Sequence, residues 1–164
     1  MHSMRTLSAF ALALLLVGCG GSSSLTPVEV AGRYAFTEYK VNPTAGSVDS
    51  KDLRREIGDD VTLLLTEAGA ARIETLRDGS PDELLASGSF TIDGGTVRVA
   101  FGDLGALGRR LLMPRNVDFE ADDDRLRAEV FLTDVNLEDL DDDDYGGITR
   151  ADVNIEIELR EIGS

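Results

Sequence analysis

Hydrophobic and polar residues alternate most cleanly near the end of the chain. There Val153, Ile155, Ile157 and Leu159 interleave with Asn154, Glu156, Glu158 and Arg160. A two-residue period puts one set on each face of an extended strand. Thr96 to Phe101 repeats it, with Val97, Val99 and Phe101 on one face and Arg98 and Ala100 on the other. Further strands are predicted over Gly32–Val41, Val61–Leu65, Ala70–Arg77, Leu84–Ile92, Asn116–Ala121 and Arg125–Leu132. The first is rich in aromatic and β-branched residues, with Tyr34 and Phe36 on one face. The segments between them carry turn residues: Glu67-Ala68-Gly69, Asp78-Gly79-Ser80-Pro81, Asp93-Gly94-Gly95 and Asp122-Asp123-Asp124. Asp93-Gly94-Gly95 is the strongest hairpin signal, because glycine accepts the positive φ of a tight turn.

Helical signals are sparse. Asp49 to Ile57 is expected to form a short helix capped by Ser50 or Asp49 and ended at Gly58. Residues 102–116 read as a long connection with a helical turn, since Leu104, Leu107, Leu111 and Leu112 are helically spaced while Gly102, Gly105 and Gly108 interrupt them. About eight strands at hairpin spacing predict an all-β fold, an antiparallel up-and-down barrel, because closure removes exposed sheet edges. A two-sheet β-sandwich is the alternative. The inward face would consist of Tyr34, Phe36, Val61, Leu63, Leu65, Ile73, Phe90, Ile92, Val97, Val99, Phe101, Val130, Leu132, Ile155 and Ile157.

Ahead of this domain stands a different pattern. Leu7 to Val17 is an unbroken run of 11 apolar and small residues behind Arg5. As a helix it would be about 16 Å long, short of the roughly 20 residues that span a bilayer. It therefore reads as a secretory signal. Its end, Leu16-Val17-Gly18-Cys19, resembles the lipobox of bacterial lipoproteins. That resemblance implies removal of residues 1–18 as a signal peptide and a mature chain that begins at a lipidated Cys19. Several acyl chains on one residue would anchor it stably to a membrane. Gly20 follows the cysteine, and the absence of Asp there points to the outer membrane, facing the periplasm. Gly20-Gly21-Ser22-Ser23-Ser24-Leu25-Thr26-Pro27 makes residues 19–27 a flexible lipidated tether, and residues 28–164 the barrel domain.

Composition changes the picture mainly by exclusion. With 16 Lys and Arg against 31 Asp and Glu the formal net charge is −15, and loss of Arg5 makes it one unit more negative. Such a chain repels nucleic acid and anionic surfaces, so no nucleic-acid partner is expected. Solubility, or a salty medium, is the plain reading of the acidity. The one His is His2 and the one Cys is Cys19. Cleavage and lipidation would take both, leaving no Ser-His or Cys-His nucleophile and no His or Cys zinc site. A non-enzymatic role without a cofactor is the expectation.

The segments Gly32-Arg33-Tyr34, Gly88-Ser89-Phe90-Thr91-Ile92-Asp93-Gly94-Gly95-Thr96-Val97 and the charged last strand together resemble a lipocalin-like lipoprotein domain. Lipocalins carry Gly-x-Trp on the first strand and a late basic residue that packs over the Trp. Here Tyr34 takes the place of the Trp and Arg160 is the late basic candidate. The resemblance implies a barrel that binds a lipid or another small hydrophobic ligand. The interior residues expected to line it are Tyr34, Phe36, Phe90, Val97, Val99, Phe101 and Ile155. An envelope protein is the other expected partner class. The alternative is a structural or interaction lipoprotein with a filled core.

One acidic run remains. Asp141 to Asp152 places Asp141, Asp143, Gly146, Ile148, Thr149 and Asp152 at positions one, three, six, eight, nine and twelve of a calcium-loop pattern. Tyr145 breaks the pattern at position five, and Asp replaces Glu at twelve. Strand-like flanks, where an EF-hand has helices, make an acidic hairpin loop the simpler reading. Asp141, Asp143 and Asp152 are the candidate metal ligands, for weak Ca2+ association.

Overall fold

Alternating apolar residues can be buried on one face only if the sheet covers that face, and here the sheet does so by closing. The computed structural model describes residues 25–44, 49–140 and 148–163. Its strands are β1 (Gly32–Pro43), β2 (Lys51–Asp52), β3 (Val61–Leu65), β4 (Ala70–Arg77), β5 (Ser80–Asp93), β6 (Thr96–Phe101), β7 (Asn116–Asp122), β8 (Arg125–Asn136) and β9 (Arg150–Glu161). They pair antiparallel in the order β2-β1-β3-β4-β5-β6-β7-β8-β9. β9 then pairs with β1 from Tyr34–Glu161 to Pro43–Val153. The result is a closed eight-stranded antiparallel barrel with β2 as one extra strand. The barrel expectation holds, and the sandwich does not.

Turn chemistry sets the register. Arg77 pairs with Ser80 around Asp78-Gly79, whose φ values are 52° and 77°. Two successive positive φ values match the twist of a tight hairpin. Strand β5 therefore starts at Ser80, four residues before the predicted Leu84. Asp93 pairs with Thr96 across Gly94 (φ 63°), as the glycine pair predicts. At Gly88 the backbone of Ala100 passes so close that a Cβ would lie 2.1 Å from its carbonyl oxygen. Only glycine fits there.

Every predicted inward residue faces the core. Most are buried, and Ile92, Val130 and Leu132 are half-buried against the rest. A β-bulge between Phe36 and Glu38 shifts β1 by one residue. Strict alternation would turn Glu38 inward; the bulge sends Tyr39 and Val41 into the core instead. The Tyr39 ring then meets Phe36 edge-on, with centroids 6.3 Å apart.

Both ends of the barrel are covered. At one, the short helix α1 (Pro27–Val30) brings Val30 under the strands, and the Tyr34 hydroxyl donates to its carbonyl at 3.0 Å. At the other, α2 (Arg54–Ile57) and α3 (Gly105–Arg110) bury Leu53, Ile57, Leu104, Leu111, Leu112 and Met113. The predicted helix over 49–57 shrinks to α2, because Lys51 and Asp52 pair with β1 as β2. Among the described residues no helix is long and apolar enough to cross a membrane.

Candidate functional site

The outward positions of β7, β8, β9 and β1 carry most of the chemistry. β7 and β8 leave a two-residue turn at Asp123-Asp124 and pair at Asp122–Arg125, Ala121–Leu126 and Glu120–Arg127. There their register ends, although neither strand does. β7 continues back to Asn116 along β6, and β8 continues to Asn136 along β9. The next outward residues to meet across the seam would be Asp118 and Glu129. Like charges directly opposite one another disfavour a cross-strand pair. The barrel wall accordingly opens below Glu120 and Arg127.

The opening is a concave site of about 430 Å³ lined by Glu38, Asp118, Glu120, Arg127, Ala128, Glu129, Glu156, Ile157 and Glu158. Six of these nine side chains are carboxylates, and Ala128 and Ile157 supply the apolar floor. Cations answer three of the six. Lys40 Nζ lies 2.6 Å from Glu38 Oε1, Arg98 Nε 3.4 Å from Asp118 Oδ2, and Arg127 Nε 2.9 Å from Glu158 Oε2. Amides answer two more: Asn42 donates to Glu156 at 2.8 Å and Asn154 to Glu129 at 2.6 Å. The Arg127 hydrogen bond holds the Glu158 carboxyl below the ordinary carboxylate range. The bond from Lys40 to Glu38 raises the ammonium in turn. Among the described residues, Glu120, Glu129 and Glu156 form no direct ion pair, although Arg127 stands opposite Glu120 and Lys40 opposite Glu156. Beside them Phe131 projects from β8 with 59% of its surface exposed.

The interior candidates sit elsewhere. Tyr34, Phe36, Phe90, Val97, Val99, Phe101 and Ile155 all point into the barrel and are 0–7% exposed. They come together as one apolar cluster with the covers at both ends. Burial, reinforced by Glu161, pushes the Tyr34 hydroxyl up to about 12, and burial raises Tyr39 further still.

The expected packing of Arg160 over Tyr34 is corrected. Tyr34 faces inward, whereas Arg160 alternates outward on β9 and approaches Asp124 at 3.8 Å. The two lie on opposite sides of the barrel wall.

Of the candidate metal ligands, Asp141 and Asp143 lie outside the described residues. Asp152 stands on β9, where its carboxylate accepts the Asp134 backbone N–H at 2.9 Å. Asp134 needs that support, since its φ is 53°. Arg150 also grips it, with Nε 2.6 Å from Oδ1, and holds its carboxyl below the usual range. Among the described residues no group of three or more acidic, His or Cys side chains is arranged to hold a metal. Cys19 and the expected signal segment also lie outside the described residues. The chain matches no protein-family model and no curated protein.

Proposed function

We propose that this protein is an envelope lipoprotein, anchored through Cys19, whose barrel is a non-catalytic interaction module acting through its outer surface. The observation that carries the proposal is the contrast between the two faces. The inward side chains pack on one another and on the covers at both ends, while the concave site lies outside, on the charged wall. The buried apolar core holds the wall in shape, and the wall presents groups that a partner can read. The lipobox supplies the address: a domain tethered through residues 19–27 stays close to the membrane and meets proteins held in the same compartment.

The test has two parts. Mass spectrometry of the N-terminal peptide from a Gram-negative host is expected to show a lipidated Cys19, with Cys19→Ser releasing the protein from the membrane fraction. Unmodified Cys19 behind an intact leader would refute the anchor. Native mass spectrometry of the purified chain addresses the module. The apolar inward face favours a second reading, a small hydrophobic ligand inside the barrel. A stoichiometric lipid in addition to the anchor would establish that second reading instead.

A further inference from the structure

We infer that the opening between β7 and β8 accepts an extended basic peptide segment of a partner protein, which adds to the free edge of β8 as a strand. The inference rests on the reading of the barrel as an interaction module and names the chemistry of its partner.

The backbone supplies the first argument. Asp122 and Arg125 close a two-residue turn, and a closing pair of that kind exchanges both its hydrogen bonds. The exchange recurs at every second pair, at Glu120–Arg127 and then at positions Asp118–Glu129 and Asn116–Phe131. The ladder stops before those last two. The N–H and C=O groups of Glu129 and Phe131 thus point into the opening, while Ala128, Val130 and Leu132 turn theirs toward β9. An unpaired edge of this kind is a template for strand addition.

The side chains supply the second. An added strand would place alternate residues outward, beside Asp118, Glu120, Glu129 and Glu156, where negative charge exceeds the local cations. Lysine or arginine is complementary there. The intervening residues would face Ala128 and Ile157, so they should be small and apolar. Phe131 extends the outward row with an apolar surface beside the basic residues. The fitting segment alternates basic and small apolar residues over about five to seven positions. An acidic peptide is rejected by the same carboxylates.

The probe is a fluorescent heptapeptide of alternating lysine and valine, titrated into the full chain in detergent at low salt. Binding is expected, with loss of binding when the lysines become glutamates. Methylating the backbone nitrogens on one edge of the peptide keeps its charges but removes its ladder donors, and is expected to weaken binding at least tenfold. Glu129→Gln and Asp118→Asn, both on the outer surface, are each expected to weaken binding about two- to fivefold. Hydrogen exchange at the Glu129 and Phe131 amides should be fast in the free chain and slowed by the peptide. No binding, or equal binding of the methylated peptide, would overturn the inference. So would exchange at those two amides that the peptide leaves unchanged. None of these results depends on Cys19 lipidation or on a lipid in the barrel, so the proposed function stands or falls separately.

Discussion

Arg33 and Glu74 form an ion pair on the outer wall that is nevertheless buried, and its removal tests how the barrel tolerates charge. Arg33 Nη2 lies 2.6 Å from Glu74 Oε1, with side-chain exposures of 20% and 7%. The approach is not along an N–H, so this oxygen is balanced by charge without an aligned hydrogen bond. Arg33 Nη1 donates to Thr62 Oγ1 at 2.9 Å, and Thr62 Oγ1 reaches the Glu74 carbonyl at 3.4 Å. The group thereby ties β1, β3 and β4 together. Arg33→Met keeps most of the apolar stem but strands the carboxylate, and an uncompensated buried charge costs about 3–5 kcal/mol. For a chain of this size that corresponds to a fall in melting temperature of roughly 6–20 °C. Arg33→Met with Glu74→Leu removes both charges and is expected to recover most of the loss, because well-packed apolar pairs often match buried ion pairs. Urea unfolding of the four proteins in a double-mutant cycle measures the coupling. Half-molar salt should barely change it, since buried pairs are poorly screened. A loss under about 1 kcal/mol for Arg33→Met, or a double variant as unstable as the single one, would refute the reasoning.

Three other outcomes are expected. Gly88→Ala forces a Cβ against the Ala100 carbonyl and the Phe101 backbone, and should cost about 1–3 kcal/mol or more by thermal melt. Gly95→Ala, with nothing near its Cβ, is its control. Tyr34 carries a hydroxyl raised to about 12, so above pH 10 the unfolded chain loses its proton first and stability falls as the pH rises toward 12. Tyr34→Phe should flatten that fall without abolishing it, because Tyr39 is raised as well. Glu158 lies below its ordinary range chiefly through the Arg127 hydrogen bond. Arg127→Gln should therefore move its NMR titration upward. Any stability advantage of the native pair should vanish as the pH falls through the lowered Glu158 value.

How much of this was legible in the residues varies with what each feature depends on. Val61–Leu65, Ala70–Arg77 and Thr96–Phe101 match their predicted bounds because turn residues flank each of them, with a continuous apolar run marking the first and strict alternation of burial the last. The start of β5 has no signal in the sequence, because Ser80 to Glu83 are exposed and carry Pro81, so neither burial nor composition marks a strand. The bulge in β1 had one local signal, the adjacent polar residues Thr37 and Glu38 between aromatic neighbours. The helical turn expected in the connection over 102–116 is α3, but its role as a cover depends on tertiary contact. The expected Arg160–Tyr34 contact failed for a parity reason: a residue one step out of phase faces the other side of the wall.

The acidic opening belongs to a different category. Asp118, Glu120, Glu129, Glu156 and Glu158 each read as an ordinary outward residue on its own strand, and for solubility alone that reading suffices. Their meaning comes from register. Only when Glu120 is known to sit opposite Arg127 does the next outward pair become Asp118 opposite Glu129. One favourable pair closes the seam and the following unfavourable one opens it, two residues apart. The same carboxylates that hold the strands apart also line the gap they create. A basic strand entering there would neutralise the repulsion and complete the ladder at once. Binding and closure are thus coupled, so the affinity of a basic segment should fall when either its charge or its backbone donors are removed, and each loss should be smaller once the other has been made.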